Sequence, residues 1–293
     1  MIGDLRHATG ALPTSHRMVV MAVLNVTPDS FSDGGLALAP DASPDRAVAL
    51  GLALVAAGAD VVDVGGESTR PGAEPVAVDE ELARVVPVVA GLAAEGVVVS
   101  VDTRHTAVAR AALDAGAAIV NDVGALAPDD GMLDVVAAAG AGYVAMHLRG
   151  EPRTMQDAPR FDDVVAEVGT ELAAVRDVAI AAGIAPDAVA LDPGIGFGKT
   201  LEHNLALLAA VPRLAALGAP LLIGTSRKSF IGHLTGVVAP AQRLAGSLAS
   251  AVLAARDGAR ILRVHDVAAT VEALAVQAAV DAHQATDDRG GRA

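Results

Sequence analysis

The stretch VVVSVDTRHTAVARAALDAGAAIVND, residues 97–122, sets the architecture. Its opening apolar run, ending at Asp102, is of the kind that suits a strand buried on both faces of a parallel sheet. An Ala-rich stretch of good helix formers follows, and Gly116 falls where that helix should end, as a C-cap glycine does. A second short apolar run, residues 118–121, then closes on Asn121 and Asp122. The unit is strand, helix, strand, and each strand ends in a polar residue.

The same unit recurs outward in both directions. Strands are predicted at 19–26, 60–64, 97–102, 118–121, 143–147, 188–192, 221–225 and 260–265, with helices between them such as 79–95 and 161–182. Eight strand–helix units match an α/β fold of the (β/α)8 TIM-barrel type, which typically takes about 250 residues. The expected layout is a single barrel over 17–283, with frayed polar tails at 1–16 and 284–293. An open doubly wound sheet would show G-x-G-x-x-G after its first strand, and none is there. A helical array would show self-similar repeats, and these units do not resemble one another.

Bulk composition narrows the function. A net charge of −14 argues against a nucleic-acid partner, which needs a basic footprint. Without cysteine there is no disulfide framework, no zinc–thiolate site and no thiol nucleophile. The first residues lack an apolar signal-like core, and no apolar stretch is long enough to span a bilayer. A soluble, cytoplasmic chain with no membrane partner is expected.

In TIM barrels the active site lies at the C-terminal ends of the strands. Here strand one ends in Asn25 before TPDSFSDGG, and strand two runs into GGESTRPG. The next four end in Asp102, Asn121–Asp122, His147 and Asp192. Strand seven opens into TSRKS, and strand eight carries Arg263 and His265. The helix-to-strand junctions are bland by comparison. Each rim residue has a plainer reading: Asp102 as a helix cap, Asn25 and Asp122 as turn residues, His147 as a structural histidine, Arg263 as one half of an ion pair. Convergence on one rim favours a site.

DPGIGFGKT is not a nucleotide-binding phosphate loop, because three residues, not four, separate Gly194 from Gly198. The chain's two lysines, Lys199 and Lys228, stand in this loop and in GTSRKSFIG. Asp102 and Asp192 can accept paired N–H bonds, Asn121 can donate and accept, and Lys228 can donate. That set suits a polar heterocycle, with roughly 1.5–3 kcal/mol per buried charge-assisted bond. Arg263, His265, Arg70 and Asn25 suit an anion, directly or through a metal. No motif marks a tightly held zinc or calcium; a substrate-borne Mg2+ with one protein ligand fits better.

NVTPDSFSDGG, DVGGESTRPG, SVDT, NDV, Met146–His147, LDPGIGFGK, TSRKSFIG and RVHDV stand in this order over nearly all of 20–267. As a set they closely resemble the dihydropteroate synthase family. The resemblance implies an alkyl-group transferase of folate synthesis. It joins a dihydropterin-methyl diphosphate to 4-aminobenzoate, with Mg2+ present, and the diphosphate departs before the amine attacks. It places Asp102, Asn121, Val123, Met146, Asp192, Phe197, Gly224 and Lys228 at the pterin, and Arg70, Arg263 and His265 at the diphosphate. Asn25 becomes the Mg2+ ligand. Phe31, Thr69, Arg70, Pro71, Phe197 and Ser229 fall to the aminobenzoate, and Ser32 and Asp33 to a mobile loop. Asp102, Lys228, Arg263 and His265 are the implied catalytic set. Leu148, Arg149 and Gln242 depart from the common pattern without removing any of these residues.

Two other readings are carried alongside. One is a methyltetrahydrofolate-dependent methyltransferase, which would not need Arg70, Ser226–Lys228 or the Arg263 and His265 pair. The other is a non-catalytic paralogue, which should have lost STR, SRK or RVH; all three are intact. Family members are commonly homodimers, and helices 244–255 and 267–282 could supply the interface. Lys199 has no ligand role on this reading. It is expected to pair with a nearby acid and to tolerate arginine, whereas Lys228 should not.

Overall fold

A computed structural model describes residues 3–15, 17–27, 43–68, 75–150 and 153–290, the side chains of 285–290 excepted. The chain begins with β1 (Leu5–His7) and β2 (Gly10–Leu12), which pair antiparallel with Leu5 opposite Leu12. The barrel then follows as β3 (Val19–Asn25), α1 (Pro44–Ala56), β4 (Val61–Gly65), α2 (Val78–Ala94), β5 (Val99–Asp102) and α3 (Thr106–Asp114). Next come β6 (Ile119–Asp122), α4 (Met132–Ala139), β7 (Gly142–Met146), α5 (Val164–Ala181), β8 (Val189–Asp192), α6 (Leu201–Ala209) and α7 (Val211–Ala215). The last elements are β9 (Leu222–Ile223), α8 (Ser229–Thr235), α9 (Leu244–Arg256), β10 (Ile261–Val264) and α10 (Val267–Gly290).

Strands β3 to β8 pair in sequence, and β10 pairs with both β3 and β9, all parallel. Closure comes from a parallel bridge between Leu191 and Leu221 and from Leu191 N–H donating to Pro220 C=O at 2.9 Å. The predicted closed (β/α)8 barrel is the observed one. In the unit read first, Gly116 follows α3 at φ 105°, donating to Leu113 C=O. That conformation is open to glycine and strained for residues with a Cβ.

Alternation along each strand sorts the residues into two cores. Outward residues such as Val20, Ala22, Leu24, Val62 and Val64 pack under the helices. Inward residues, Val19, Met21, Val61, Ile119, Val144, Ala190, Leu222 and Ile261, fill the lower barrel. Two or four positions further along the same strands, the inward residues turn polar: Asp63, Ser100, Asp102, Asn121, Asp192 and Arg263. Because both strand faces are buried, side-chain period rather than hydropathy sets direction here.

The N-terminal segment is a correction to the expected frayed tail. Leu5 and Leu12 join the inner cluster, nearly or fully buried, so the hairpin plugs the barrel end opposite the polar rim. Thr14 Oγ1 accepts from Leu5 N–H at 2.9 Å, and Ala8 N–H donates to Ala118 C=O at 3.3 Å. Burying two leucines is worth about 1.5–3 kcal/mol each, which a hairpin of such short strands needs from tertiary contact. At the other end, α10 runs to Gly290, past the expected boundary at 283. Among the described residues no helix is long and apolar enough to cross a membrane.

Candidate active site

The floor of the rim is a charged lattice. Arg263, from β10, donates through Nε to Asp63 Oδ2 at 2.6 Å and through Nη2 to Asp102 Oδ2 at 2.5 Å. Asn121 Nδ2 donates to the same Asp63 oxygen at 3.1 Å. These bonds leave Asp102 Oδ1 and Asn121 Oδ1 buried without a partner. A buried acceptor without a donor costs about 1–3 kcal/mol, so the pair is poised for a ligand rich in N–H groups. Burial pushes the Asp102 carboxyl up to about 7, against the pull of Arg263 and with the push of Asp63. Burial also raises Asp192, whose Oδ1 accepts from Gly194 N–H at 2.7 Å. Asp102 caps no helix, because α3 starts after His105.

The apolar side of the pocket is built by Val123, Met146 and Phe197, with Met155 packed against them. Phe197 rides on the glycine loop after β8. There Gly194 takes φ 66°, and a Cβ on it would lie 2.0 Å from His147 C=O. Gly196 at φ 84° leaves room for Lys228, whose Cδ would be 3.0 Å from an added Cβ. Lys228 Nζ stands 3.7 Å over the Phe197 ring, a cation–π contact that ties the two loops together. Burial lowers the Lys228 ammonium to about 7, and Arg263 adds to that shift. Gly224 completes the wall beside Arg263.

Lys199 lies behind the same loop, 3% exposed. Its Nζ reaches Phe197 C=O at 2.9 Å and His147 Nδ1 at 3.1 Å. Among the described residues no acid pairs with it directly, so the expected Lys–carboxylate pair is not found there. Burial drives the ammonium down to about 7, although Asp192 opposes the shift. His147 is fully buried, with Nε2 3.0 Å from Glu171, and is lowered to about 4 by burial and by Lys199. Lys199 and His147 are struts of the wall, and an arginine at 199 would have to bury a guanidinium that cannot shed its charge, against the expected tolerance.

Between β9 and α8, Arg227 adopts φ 61°, a left-handed conformation costly for a residue with a Cβ. Three contacts hold it there. Asp266 accepts the guanidinium fork at 2.7 and 3.1 Å, Ser247 Oγ accepts from Arg227 N–H at 2.9 Å, and Arg243 donates to its carbonyl at 2.9 Å. The turn brings both Ser226 and Lys228 to the pocket. Ser226 Oγ meets His265 Nδ1 at 3.0 Å and accepts His265 N–H at 3.2 Å. Burial lowers His265 to about 3, helped by Arg227 and Arg263. At neutral pH the ring is uncharged, so His265 can hydrogen-bond an anion but adds no positive charge. Arg263, in turn, is already matched by two carboxylates. Among the described residues, the anion-suited pair Arg263 and His265 therefore brings little net positive charge to the rim.

Asn25 ends β3 opposite Gly65, and its Oδ1 would meet a Cβ on Gly65 at 3.5 Å, beside Asp102. A Cβ there would make only ordinary contact with that oxygen, and Asn25 is not among the residues that line the pocket. Ser229 is exposed at the first turn of α8. The base of the loop after β4 is anchored by Arg84 to Gly66 C=O at 2.8 Å and by Arg104 to Glu67 at 2.9 Å. Glu67, Glu81 and His105 offer ligand atoms within 4.8 Å of one another. Arg104 already holds Glu67, and His105 Nδ1 holds Glu81 at 2.7 Å, so this cluster serves as loop anchorage. Phe31, Ser32, Asp33, Thr69, Arg70 and Pro71 lie outside the described residues.

The profile of the pterin-binding enzyme family matches residues 21–265. The chain belongs to that family. Dihydropteroate synthase of Mycobacterium leprae is 51% identical over 263 residues, covering 88% of this chain and 91% of its own. The structure of Xanthomonas albilineans dihydropteroate synthase with 4-aminobenzoic acid superposes with a TM-score of 0.87 at 50% identity, over 96% of this chain and 99% of that one. The Burkholderia cenocepacia enzyme, complexed with 7,8-dihydropteroate, gives a TM-score of 0.87 at 43% identity, over 97% and 98% of the two chains.

Within this pterin-binding barrel, Asp102, Asn121, Val123, Met146, Asp192, Phe197, Gly224, Lys228, Arg263 and His265 line one pocket. Asp122 is not among them: it accepts Gly124 N–H at 2.8 Å and Tyr143 Oη–H at 2.7 Å, a turn residue tied to the outer core. Asp63 escaped the sequence reading. It sits inside a predicted strand, and the available signal was a lone acid amid valines in VVDVGG, residues 61–66, two positions short of the rim.

Proposed function

We infer that the chain makes 7,8-dihydropteroate from a dihydropterin-6-ylmethyl diphosphate and 4-aminobenzoate. The C–O bond from the methylene to the diphosphate breaks, a C–N bond to the aromatic amine forms, and the amine nitrogen gives up a proton. The observation that carries this reading is the pair of donorless acceptors, Asp102 Oδ1 and Asn121 Oδ1, in a pocket walled by Met146 and Phe197. A pterin has a flat face for the apolar wall and an N–H edge for the acceptors. A methyl donor's folate shares that edge, but the SRK and RVH residues and relatives that are synthases favour the diphosphate chemistry.

Asp102, Asn121 and Asp192 accept from the pterin, while Lys228 donates to it. Asp102 also faces the carbon that becomes cationic as the diphosphate leaves, so its charge lowers that barrier by preorganised electrostatics. Arg263 and neutral His265 donate to the departing diphosphate. Since Arg263 is matched by Asp63 and Asp102, these two groups add little net charge there. The Asn25 Oδ1 atom is a hard, neutral oxygen of the kind Mg2+ takes as a single protein ligand. When bound, Mg2+ would supply the charge that steadies the diphosphate. Thr69, Arg70, Pro71, Phe31, Phe197 and Ser229 are proposed for the aminobenzoate.

The chain is proposed to act in the cytoplasm as a homodimer. Exposed Leu253, Val276 and Val280 on α9 and α10 support an interface there. The reaction is tested by adding the dihydropterin diphosphate, 4-aminobenzoate and Mg2+ to the purified chain. One diphosphate released per dihydropteroate formed is expected, and folded protein that releases none overturns the reading.

A further inference from the structure

Asp63 is fully buried in the middle of β4 and does not line the pocket. Yet it touches two residues that do. Its Oδ2 accepts from Arg263 Nε at 2.6 Å and from Asn121 Nδ2 at 3.1 Å. We propose that Asp63 is a positioning residue that selects which end of the Asn121 amide meets the pterin and keeps Arg263 anchored while Asp102 serves the ligand.

The argument rests on donor–acceptor logic. An asparagine amide has a donor end and an acceptor end, and its environment decides which faces the ligand. As the partner of a guanidinium, the Asp63 carboxylate takes hydrogen bonds and gives none. Asn121 must therefore turn Nδ2 inward to Asp63 and Oδ1 toward the pocket, where Oδ1 is buried without a partner. With Asp102 Oδ1 also unpartnered, the floor presents two acceptors side by side. Without Asp63 the amide could rotate, and its donor end would oppose pterin N–H groups. Arg263 makes the second half of the case. Two carboxylates hold it, at Nε and at Nη2, so Asp102 can loosen toward a ligand without setting the guanidinium adrift.

This proposal rests on the pterin reading of the pocket, and the test separates the two. Asp63→Asn keeps the volume and leaves Arg263 paired with Asp102, so the fold should survive. Affinity is measured for 6-hydroxymethyl-7,8-dihydropterin, which lacks the diphosphate, alongside the KM for 4-aminobenzoate and the melting temperature. The pterin Kd should rise at least tenfold, while the aminobenzoate KM stays within twofold and the melting temperature holds within a few degrees. In an Asn121→Ala background the same substitution should add no more than twofold to the Kd of this diphosphate-free pterin, because that affinity reads the amide and not the anchoring of Arg263. If Asp63→Asn does not fold, Asp63→Ser takes the same measurements. Unchanged pterin affinity, an equal loss for both ligands, or a fully additive loss with Asn121→Ala overturns the proposal. A parent protein that binds no pterin overturns the functional reading, and this proposal with it.

Discussion

Lys199 makes stability depend on pH in a direction that can be measured. Its ammonium is 3% exposed and held at about 7, whereas an unfolded chain returns it to the ordinary lysine value near 10.4. Between those values the unfolded chain binds more protons than the native one, so native stability rises with pH. Each pH step well inside the window contributes about 1.4 kcal/mol. Because Lys199 is half-titrated at pH 7, the gain from pH 7 to pH 9 comes to about 2 kcal/mol. His147, lowered to about 4, has finished titrating below this window. Lys228 has a similar shift but is present in parent and variant alike, so it cancels. Urea unfolding of the parent and of Lys199→Met at both pH values isolates the Lys199 share. The parent should gain about 2 kcal/mol more than the variant on going from pH 7 to 9. Lys199→Arg, which cannot shed its proton, should lose the same gain and be less stable at both pH values. Parent and Lys199→Met curves that rise in parallel would refute the reasoning.

Lys228→Arg should reduce kcat/KM on the order of a hundredfold, because a fork cannot stand where Nζ meets the Phe197 face beside Gly196; steady-state kinetics read this directly. Gly194→Ala places a Cβ 2.0 Å from His147 C=O at φ 66°, and should destabilise the fold by about 3 kcal/mol or more in denaturant titration. Leu5→Ala should cost about 2–5 kcal/mol of stability through a cavity at the closed barrel end. Its turnover per folded molecule should stay at the parent value, because the hairpin lies opposite the rim.

Much of the fold and the rim was legible because parallel-sheet strands carry their own signal. The runs ending in Asn121 and Asp192 are apolar until the last residue, and the run ending in Asp102 is broken only by Ser100, so each polar terminus marks both strand end and site. The N-terminal hairpin was not legible, since three-residue strands carry no periodicity and gain their stability from the barrel interior beneath them. Asp63 was hidden for a related reason: a strand buried on both faces shows no alternation that separates inward from outward positions. The lowered pKa of His265 was not legible, because burial, and the nearness of Arg227 and Arg263, are properties of the packed state.

What the amino-acid order determined by itself was local: where strands and helices start and stop, and which residue types stand at the strand ends. Those follow from backbone preferences and side-chain period, which act within a few residues. What tertiary structure alone decided was pairing and charge state. Arg263 meets Asp63 across 200 residues and Asp102 across 161, and no spacing rule reaches that far. Only closing the barrel brings those groups together, and only the burial that follows raises the Asp102 carboxyl.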